Sequence, residues 1–264
     1  MKLLFISLGC DKNLVDSEEM LGMLAADGHQ IVDDEDEAEV IIINTCCFIG
    51  DAKEESVNTI LEMAEKKKAG TCKVLIVTGC MAQRYKKEIS EEIPEVDAIL
   101  GTTSYGEIVK AVKEAQAGRH FEEYKSIDYL PDISGKRMLT TGGHFAYLKI
   151  AEGCDKHCTY CIIPKLRGSY RSVPMEELVK EASSLAQQGV KELILVAQET
   201  TVYGKDLYGK KSLHILLKEL CKIKGIRWIR ILYCYPEEIY DELIQTMKEE
   251  KKICHYLDLP IQQA

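Results

Sequence analysis

The strongest constraint on this chain is a rhythm. Short, unbroken runs of aliphatic and β-branched residues alternate with amphipathic stretches of helical period. Leu3–Leu8, Val40-Ile41-Ile42-Ile43, Val74-Leu75-Ile76-Val77 and Asp97–Leu100 are predicted strands. Between them, Leu14, Leu21 and Leu24 share one helical face, and Val57, Ile60, Leu61 and Ala64 share another. A further helix is predicted to run to about Glu92, and Ser104–Gln116 closes the series. Apolar strands without polar alternation must be buried on both faces, so the pattern specifies a parallel sheet covered by helices.

Residues 119–143 interrupt the rhythm, with Pro131, Asp132, Ser134-Gly135 and Gly142-Gly143 marking a linker. A second series follows: Phe145–Ile150 (strand), Met175–Gln188 (helix), Glu192–Ala197 (strand), Leu213–Lys222 (helix), Trp228–Leu232 (strand), Glu237–Glu249 (helix) and Tyr256–Leu259 (strand). The expected organisation is an α/β domain over 1–118, a linker over 119–143, and a βα series over 144–264. That series stops where a βα barrel would still be unfinished.

The 264 residues are 46% hydrophobic, enough for two cores. With 29% charged residues, 18 Gly and 6 Pro, neither a disordered nor a fibrous chain fits. No apolar run is long enough to cross a bilayer. The opening Lys2-Leu3-Leu4-Phe5-Ile6-Ser7-Leu8-Gly9-Cys10 is too short for a secretory or lipoprotein signal, and Asp11-Lys12-Asn13 follows at once. A buried strand of a cytoplasmic protein is expected there. Residues 1–130 carry 14 Lys+Arg against 26 Asp+Glu, whereas the remainder is slightly basic, for a net charge of −9. An acidic first half argues against nucleic acid as its direct contact, because phosphate binding rests on Lys and Arg.

Eleven cysteines in a chain with no secretory signal point to metal or cluster ligation rather than a disulfide framework. Cys154, Cys158 and Cys161 form C-x₃-C-x₂-C directly after a predicted strand. Three such thiolates can wrap one face of an iron–sulfur cluster and leave a metal corner open to an external chelator. Structural zinc sites nearly always have four protein ligands, so zinc would need His157 as a fourth. Cys10, Cys46 and Cys80 lie far apart in sequence, but each follows a predicted parallel strand and precedes a helix. Carboxyl ends of parallel strands share one edge of the sheet, where ligands bind. Each alone would be an ordinary buried cysteine. Their shared contexts, Gly9-Cys10, Asn44-Thr45-Cys46 and Thr78-Gly79-Cys80, make convergence the expectation. Adjacent extended residues point apart, so Cys46 rather than Cys47 is expected to face the site. Cys72, Cys221, Cys234 and Cys254 lack partners at ligand spacing and are expected to be structural. Gln198-Glu199-Thr200 ends a strand where a βα barrel places its active site, although a plain surface turn has the same pattern.

With Tyr160 before its last cysteine, Cys154-x₃-Cys158-x₂-Cys161 resembles the radical S-adenosylmethionine superfamily, and Ala197-Gln198-Glu199 is similar to its second-strand motif. The first half resembles the N-terminal domain of the methylthiotransferases. Within these, Ser7–Glu18, Ala52–Ser56, Val77–Tyr85, Ile163–Gly168 and Tyr256–Ala264 are similar to the RimO type, with Asp11 where proline is common and Cys47 where glycine is usual. The resemblance implies two [4Fe–4S] clusters, one on Cys154, Cys158 and Cys161 and one on Cys10, Cys46 and Cys80. It implies S-adenosylmethionine as cofactor, with Tyr160, Gln198 and Glu199 on the cofactor side. It further implies a partial radical-SAM (β/α) barrel, since family members continue through two more barrel strands and a small β-barrel (TRAM) domain, and this chain is therefore expected to be truncated at its C-terminus.

By the same resemblance, the substrate is an aspartate β-carbon of ribosomal protein S-twelve, free or in the small ribosomal subunit. Electrons would come from a donor such as flavodoxin or ferredoxin, with no membrane and no direct tRNA contact. An unactivated C–H bond needs a radical that no side chain supplies, which fits a cofactor of this kind. A tRNA adenosine methylthiotransferase would share all six cysteines, and an inactive iron–sulfur scaffold would share the same ligands.

Overall fold

A computed structural model describes residues 1–131 and 137–261. Asp132 and Ser134-Gly135 of the expected linker, and Gln262-Gln263-Ala264 of the last similar segment, lie outside the described residues. The chain divides into two compact units, Met1–Met138 with Tyr160–Arg167, and Leu139–Thr159 with Gly168–Ala264.

The first unit runs β1 (Lys2–Ser7), α1 (Asp11–Ala26), β2 (Gln30–Val32), β3 (Val40–Thr45), α2 (Gly50–Lys68), β4 (Val74–Gly79), α3 (Cys80–Arg84), α4 (Lys86–Glu92), β5 (Ala98–Leu100), α5 (Ile108–Gln116) and β6 (Phe121–Glu123). All six strands are parallel, in the order β2-β1-β3-β4-β5-β6. Every residue of β3 and β4 is buried. Ile41, Ile43, Leu75 and Val77 pack with Ile60 and Met63 of α2 on one face. Val40, Ile42, Val74 and Ile76 pack on the other face with Met20 and Leu24 of α1 and Ile108 and Val112 of α5. Both pleat directions thus end in a core, which is why these strands carry no polar alternation.

The structure departs from the sequence expectation at the edges. Phe121–Glu123, expected in a linker, pairs with β5 as a sixth strand, with Ala98 opposite Phe121. An edge strand needs only one apolar face, so three residues with two glutamates leave almost no periodic signal. The short β2 was missed for the same reason. The single helix expected up to Glu92 is two, α3 and α4, separated at Tyr85.

The second unit begins with β7 (Phe145–Lys149) and β8 (Ala151–Glu152). The chain then passes through α6 (Ile163–Arg167), which belongs to the first unit. It continues with β9 (Arg171–Ser172), α7 (Met175–Gln187), β10 (Glu192–Val196), α8 (Lys205–Tyr208), α9 (Leu213–Cys221), β11 (Trp228–Ile231), α10 (Asp241–Glu249) and β12 (Ile253–Leu257). Strands β7, β10, β11 and β12 form a parallel sheet in that spatial order, with β8 and β9 a separate antiparallel ribbon. Neighbours in sequence are neighbours in space, as in the successive strands of a βα barrel. The last strand starts at Ile253, earlier than the expected Tyr256, because Ile253 is buried while His255 and Tyr256 are exposed. Among the described residues no helix is long and apolar enough to cross a membrane.

Helices α9 and α10 are joined by a polar clasp. The His214 backbone N–H donates to Tyr240 Oη at 3.2 Å, and Nδ1 lies 3.1 Å from the same oxygen. The hydroxyl accepts from that N–H and still has its own proton to donate to a neutral Nδ1. Burial lowers the His214 pKa below its ordinary value. The folded state therefore prefers the neutral ring, and its contribution is full above the unfolded pKa, near 6.5, and declines as pH falls below it. The gap in melting temperature between the wild type and a His214→Asn variant is expected to narrow between pH 7 and pH 5.

Candidate functional site

The first-unit sheet reverses its strand order between β1 and β3, because the chain moves outward to β2 and then returns to the other side of β1. Such a reversal leaves a crevice at the carboxyl ends of the strands. Ser7 is in register with Asn44, and Asn44 with Thr78. Cys10, Cys46 and Cys80 follow these aligned residues by three, two and two positions. Two glycines set the approach. Gly9 has φ +92°, and a Cβ there would stand 2.9 Å from Cys46 Sγ. Gly79 also has φ +92°, and its missing Cβ faces the Asn44 side chain and the Thr45 carbonyl. Glycine is required at both, by dihedral and by space.

Buried polar side chains tie the three loops together. Asn13 Nδ2 donates to the carbonyls of Leu8 (3.0 Å) and Thr45 (2.9 Å). Asn44 Nδ2 donates to the Asn13 carbonyl and to Ser17 Oγ, each at 2.9 Å. Thr45 Oγ1 donates to the Thr78 carbonyl at 2.5 Å. Ser56 of α2 accepts from the Cys46 N–H at 3.0 Å and donates to its carbonyl at 2.8 Å. Arg167, 2% exposed, pairs with Asp16 at 2.8 Å and donates to Asn13 Oδ1. Asn13, Thr45, Ser56 and Arg167 were not singled out from the sequence. The asparagine three residues after Cys10 was the available signal, but amides have no spacing rule that marks such a bridge.

The thiols respond to one another. Burial pushes Cys80 up to about 12, while the Arg167 guanidinium pulls it down and the Cys46 and Cys10 sulfurs push it up. Burial likewise raises Cys46, which also senses Cys10 and Arg167. Cys47 is raised by burial as well but faces Arg84 and Lys53, and it packs into the apolar core. The three cysteines follow strands at one edge of the sheet, Cys10 exposed and Cys46 and Cys80 buried, and none is in a disulfide. That donor set fits a thiolate-bound iron–sulfur cluster. Among the described residues no three His, Cys, Asp or Glu side chains are grouped as ligands of one metal ion.

The second set is placed differently. Cys154, Cys158 and Cys161 are all half-buried. Cys154 and Cys158 belong to the second unit, whereas Cys161 and the 71% exposed Tyr160 lie in the segment belonging to the first. Cys154 lines a cavity of about 440 Å³ together with Lys156, Tyr170, Glu199, Lys205 and Asp206. Glu199 follows β10 and is 1% exposed, and burial raises its pKa. Thr201 Oγ1 donates to its Oε1, while Oε2 has no hydrogen-bond partner and stands 3.3 Å from Lys156 Nζ. Gln198 donates from Nε2 to Glu152 at 2.9 Å, and its buried Oε1 has no hydrogen-bond partner. Tyr170 Oη donates to the Glu199 carbonyl at 2.9 Å, and the Tyr170 N–H donates to Asp155. An under-satisfied buried carboxylate and amide oxygen, beside a cavity lined by a motif cysteine, fit the ammonium of an amino-acid-like cofactor.

Two substitutions probe the first site. Gly79→Ala forces a left-handed residue into the Thr45 backbone and should destabilise the chain by more than about 2 kcal/mol. Asn13→Ala, which strands several buried partners, should cost about 1–3 kcal/mol. Both are read by denaturant unfolding.

A family model described as an uncharacterized protein family, UPF0004, matches residues 2–101, and the radical SAM superfamily matches residues 148–264. Curated proteins named ribosomal protein uS12 methylthiotransferase RimO match the whole chain. That of Lachnoclostridium phytofermentans is 66% identical and that of Clostridioides difficile 53%, and the chain spans 60% of the length of each. In fold, the chain is similar to the radical S-adenosylmethionine methyltransferase TsrM from Kitasatospora setae, with a TM-score of 0.62 at 12% identity over 98% of this chain and 58% of that one. It is also similar to the cobalamin-dependent S-adenosylmethionine radical enzyme OxsB, with a TM-score of 0.58 at 13% identity over 94% of this chain and 41% of that one. With both regions matched in order, the chain is similar over its full length to the RimO type of the radical S-adenosylmethionine methylthiotransferases.

Proposed function

We propose that this chain forms the cluster-binding and cofactor-binding part of a methylthiotransferase that modifies the β-carbon of an aspartate in ribosomal protein S-twelve. The observation that carries the reading is the presence in one chain of two separate three-cysteine sets, one a C-x₃-C-x₂-C loop and one whose members each follow a strand at the same sheet edge, in a sequence 66% identical to a curated RimO protein. Cys154, Cys158 and Cys161 would hold one [4Fe–4S] cluster, and Cys10, Cys46 and Cys80 a second. Tyr160, Gln198 and Glu199 would serve S-adenosylmethionine. When bound and reduced, these groups supply a carbon radical able to take hydrogen from an unactivated C–H bond, and a sulfur to replace it.

The chain's own residues do the rest. Glu199, held by Thr201 and by its own burial, offers a fixed carboxylate to an ammonium. Lys156 is drawn toward Glu199 at 3.3 Å, Glu237 at 2.9 Å and Glu238 at 3.4 Å, so it neutralises that cavity until a cationic ligand enters. Asp206 accepts from Ser172 N at 2.8 Å and from its Oγ at 2.6 Å, fixing the cavity wall. Holding cofactor and substrate in one geometry, away from water, is what protein can add to radical chemistry.

Charge favours a protein substrate. The acidic first half, with 26 Asp+Glu against 14 Lys+Arg over 1–130, attracts a basic ribosomal protein and repels a polyanionic RNA. The small ribosomal subunit is the corresponding assembled partner, a flavodoxin or ferredoxin the electron donor, and the cytoplasm, where thiols stay reduced, the compartment.

Anaerobic reconstitution should load about eight irons, and about half that in a Cys154→Ala, Cys158→Ala, Cys161→Ala variant. Stoichiometric zinc without iron would overturn the cluster reading. A version extended to the length of the curated relatives should shift the mass of S-twelve and leave unmodified tRNA unchanged. Methylthiolated tRNA adenosine with unmodified S-twelve would overturn the substrate reading.

A further inference from the structure

We propose that Arg167 is the positioning residue and fixed counter-charge of the Cys10, Cys46 and Cys80 site, placed there so that the group on these thiolates is more easily reduced. The proposal rests on the reading that this site holds an iron–sulfur cluster. Arg167 closes α6, six residues beyond Cys161, yet it belongs to the first unit. Its guanidinium is held at both ends, by Asp16 at 2.8 Å and by Asn13 Oδ1, and its charge opposes the burial that raises the Cys80 and Cys46 thiols. The backbone that carries it is anchored too. Leu166 is 2% exposed in the core with Cys80, Met81 and Ala82, and Thr102 Oγ1 donates to its carbonyl at 2.7 Å.

A guanidinium this deep is costly to desolvate, and an apolar pair of similar volume would fill the space at less cost. Its placement is explained by what it faces. Three thiolates at one crevice repel one another, and a reducible group on them gains a further negative charge on accepting an electron. A fixed cation at that point favours the reduced state, as net charge and hydrogen bonds to sulfur do in iron–sulfur proteins generally. Arginine suits the position because its planar fork engages Asp16 and Asn13 together while presenting a charge that cannot be lost by deprotonation. Asn13 meanwhile donates to the Leu8 and Thr45 carbonyls, so the guanidinium also holds the amide that joins the Cys10 and Cys46 loops.

The test uses the reconstituted chain with Cys154, Cys158 and Cys161 changed to Ala, so that only this site reports. Iron content, the electron paramagnetic resonance spectrum of the reduced state and its midpoint potential are measured for this parent. The same measurements are made with Asp16→Asn, with Arg167→Lys, and with Asp16→Asn and Arg167→Met together. The double change leaves neither charge buried alone, which preserves folding. With iron retained, Asp16→Asn should raise the potential above the parent and the double change should lower it below. Arg167→Lys should keep the potential near the parent with an altered spectrum. A residue that only packs would leave all potentials and spectra alike, and that result overturns the proposal. A parent that takes up no iron overturns the cluster reading of the site, and the proposal falls with it.

Discussion

The in-register parallel pairing of β1, β3 and β4 is the constraint on which the rest depends. Ser7, Asn44 and Thr78 stand level across three strands, so whatever follows each strand by two or three residues must emerge at one place. Hydrophobic burial on both faces fixes that register, since a slip of one residue would exchange the two cores. The sulfur-bearing loops thus inherit their convergence from packing that takes place well away from them.

Much of this was legible in the sequence, for identifiable reasons. Val40–Ile43 and Val74–Val77 announce buried parallel strands because no polar residue interrupts them. Cysteines placed after such strands can be assigned to one edge from topology alone. Phe121–Glu123 and Gln30–Val32 were not legible, because an edge strand of three residues carries too little pattern to separate it from a loop. Asn13, Thr45 and Arg167 were missed for a different reason. Their roles are hydrogen bonds across 32, 33 and 154 positions of sequence, which no local spacing encodes.

The two cysteine sets sit in contrasting surroundings. At Cys46 and Cys80 desolvation dominates, and a single guanidinium opposes it. Around Cys154 the cavity is lined by Lys156, Lys205, Asp155, Asp206, Glu199 and Glu238, a wall of mixed charge with four carboxylates to two ammonium groups. The buried thiols of Cys46 and Cys80 suit a resident group that is assembled once, whereas a charged, roomy cavity suits a ligand that must enter and leave.

The assignment of Tyr160–Arg167 to the first unit means that the backbone changes unit three times rather than once. The two units therefore cannot be separated by a single cut. A fragment ending near residue 131 would lack the Leu166 side chain from its core and the guanidinium that pairs with Asp16. A fragment beginning near residue 139 would carry a short helix whose apolar residues have lost their host. Dissecting the protein would require grafting those eight residues back onto the first unit through a designed connection.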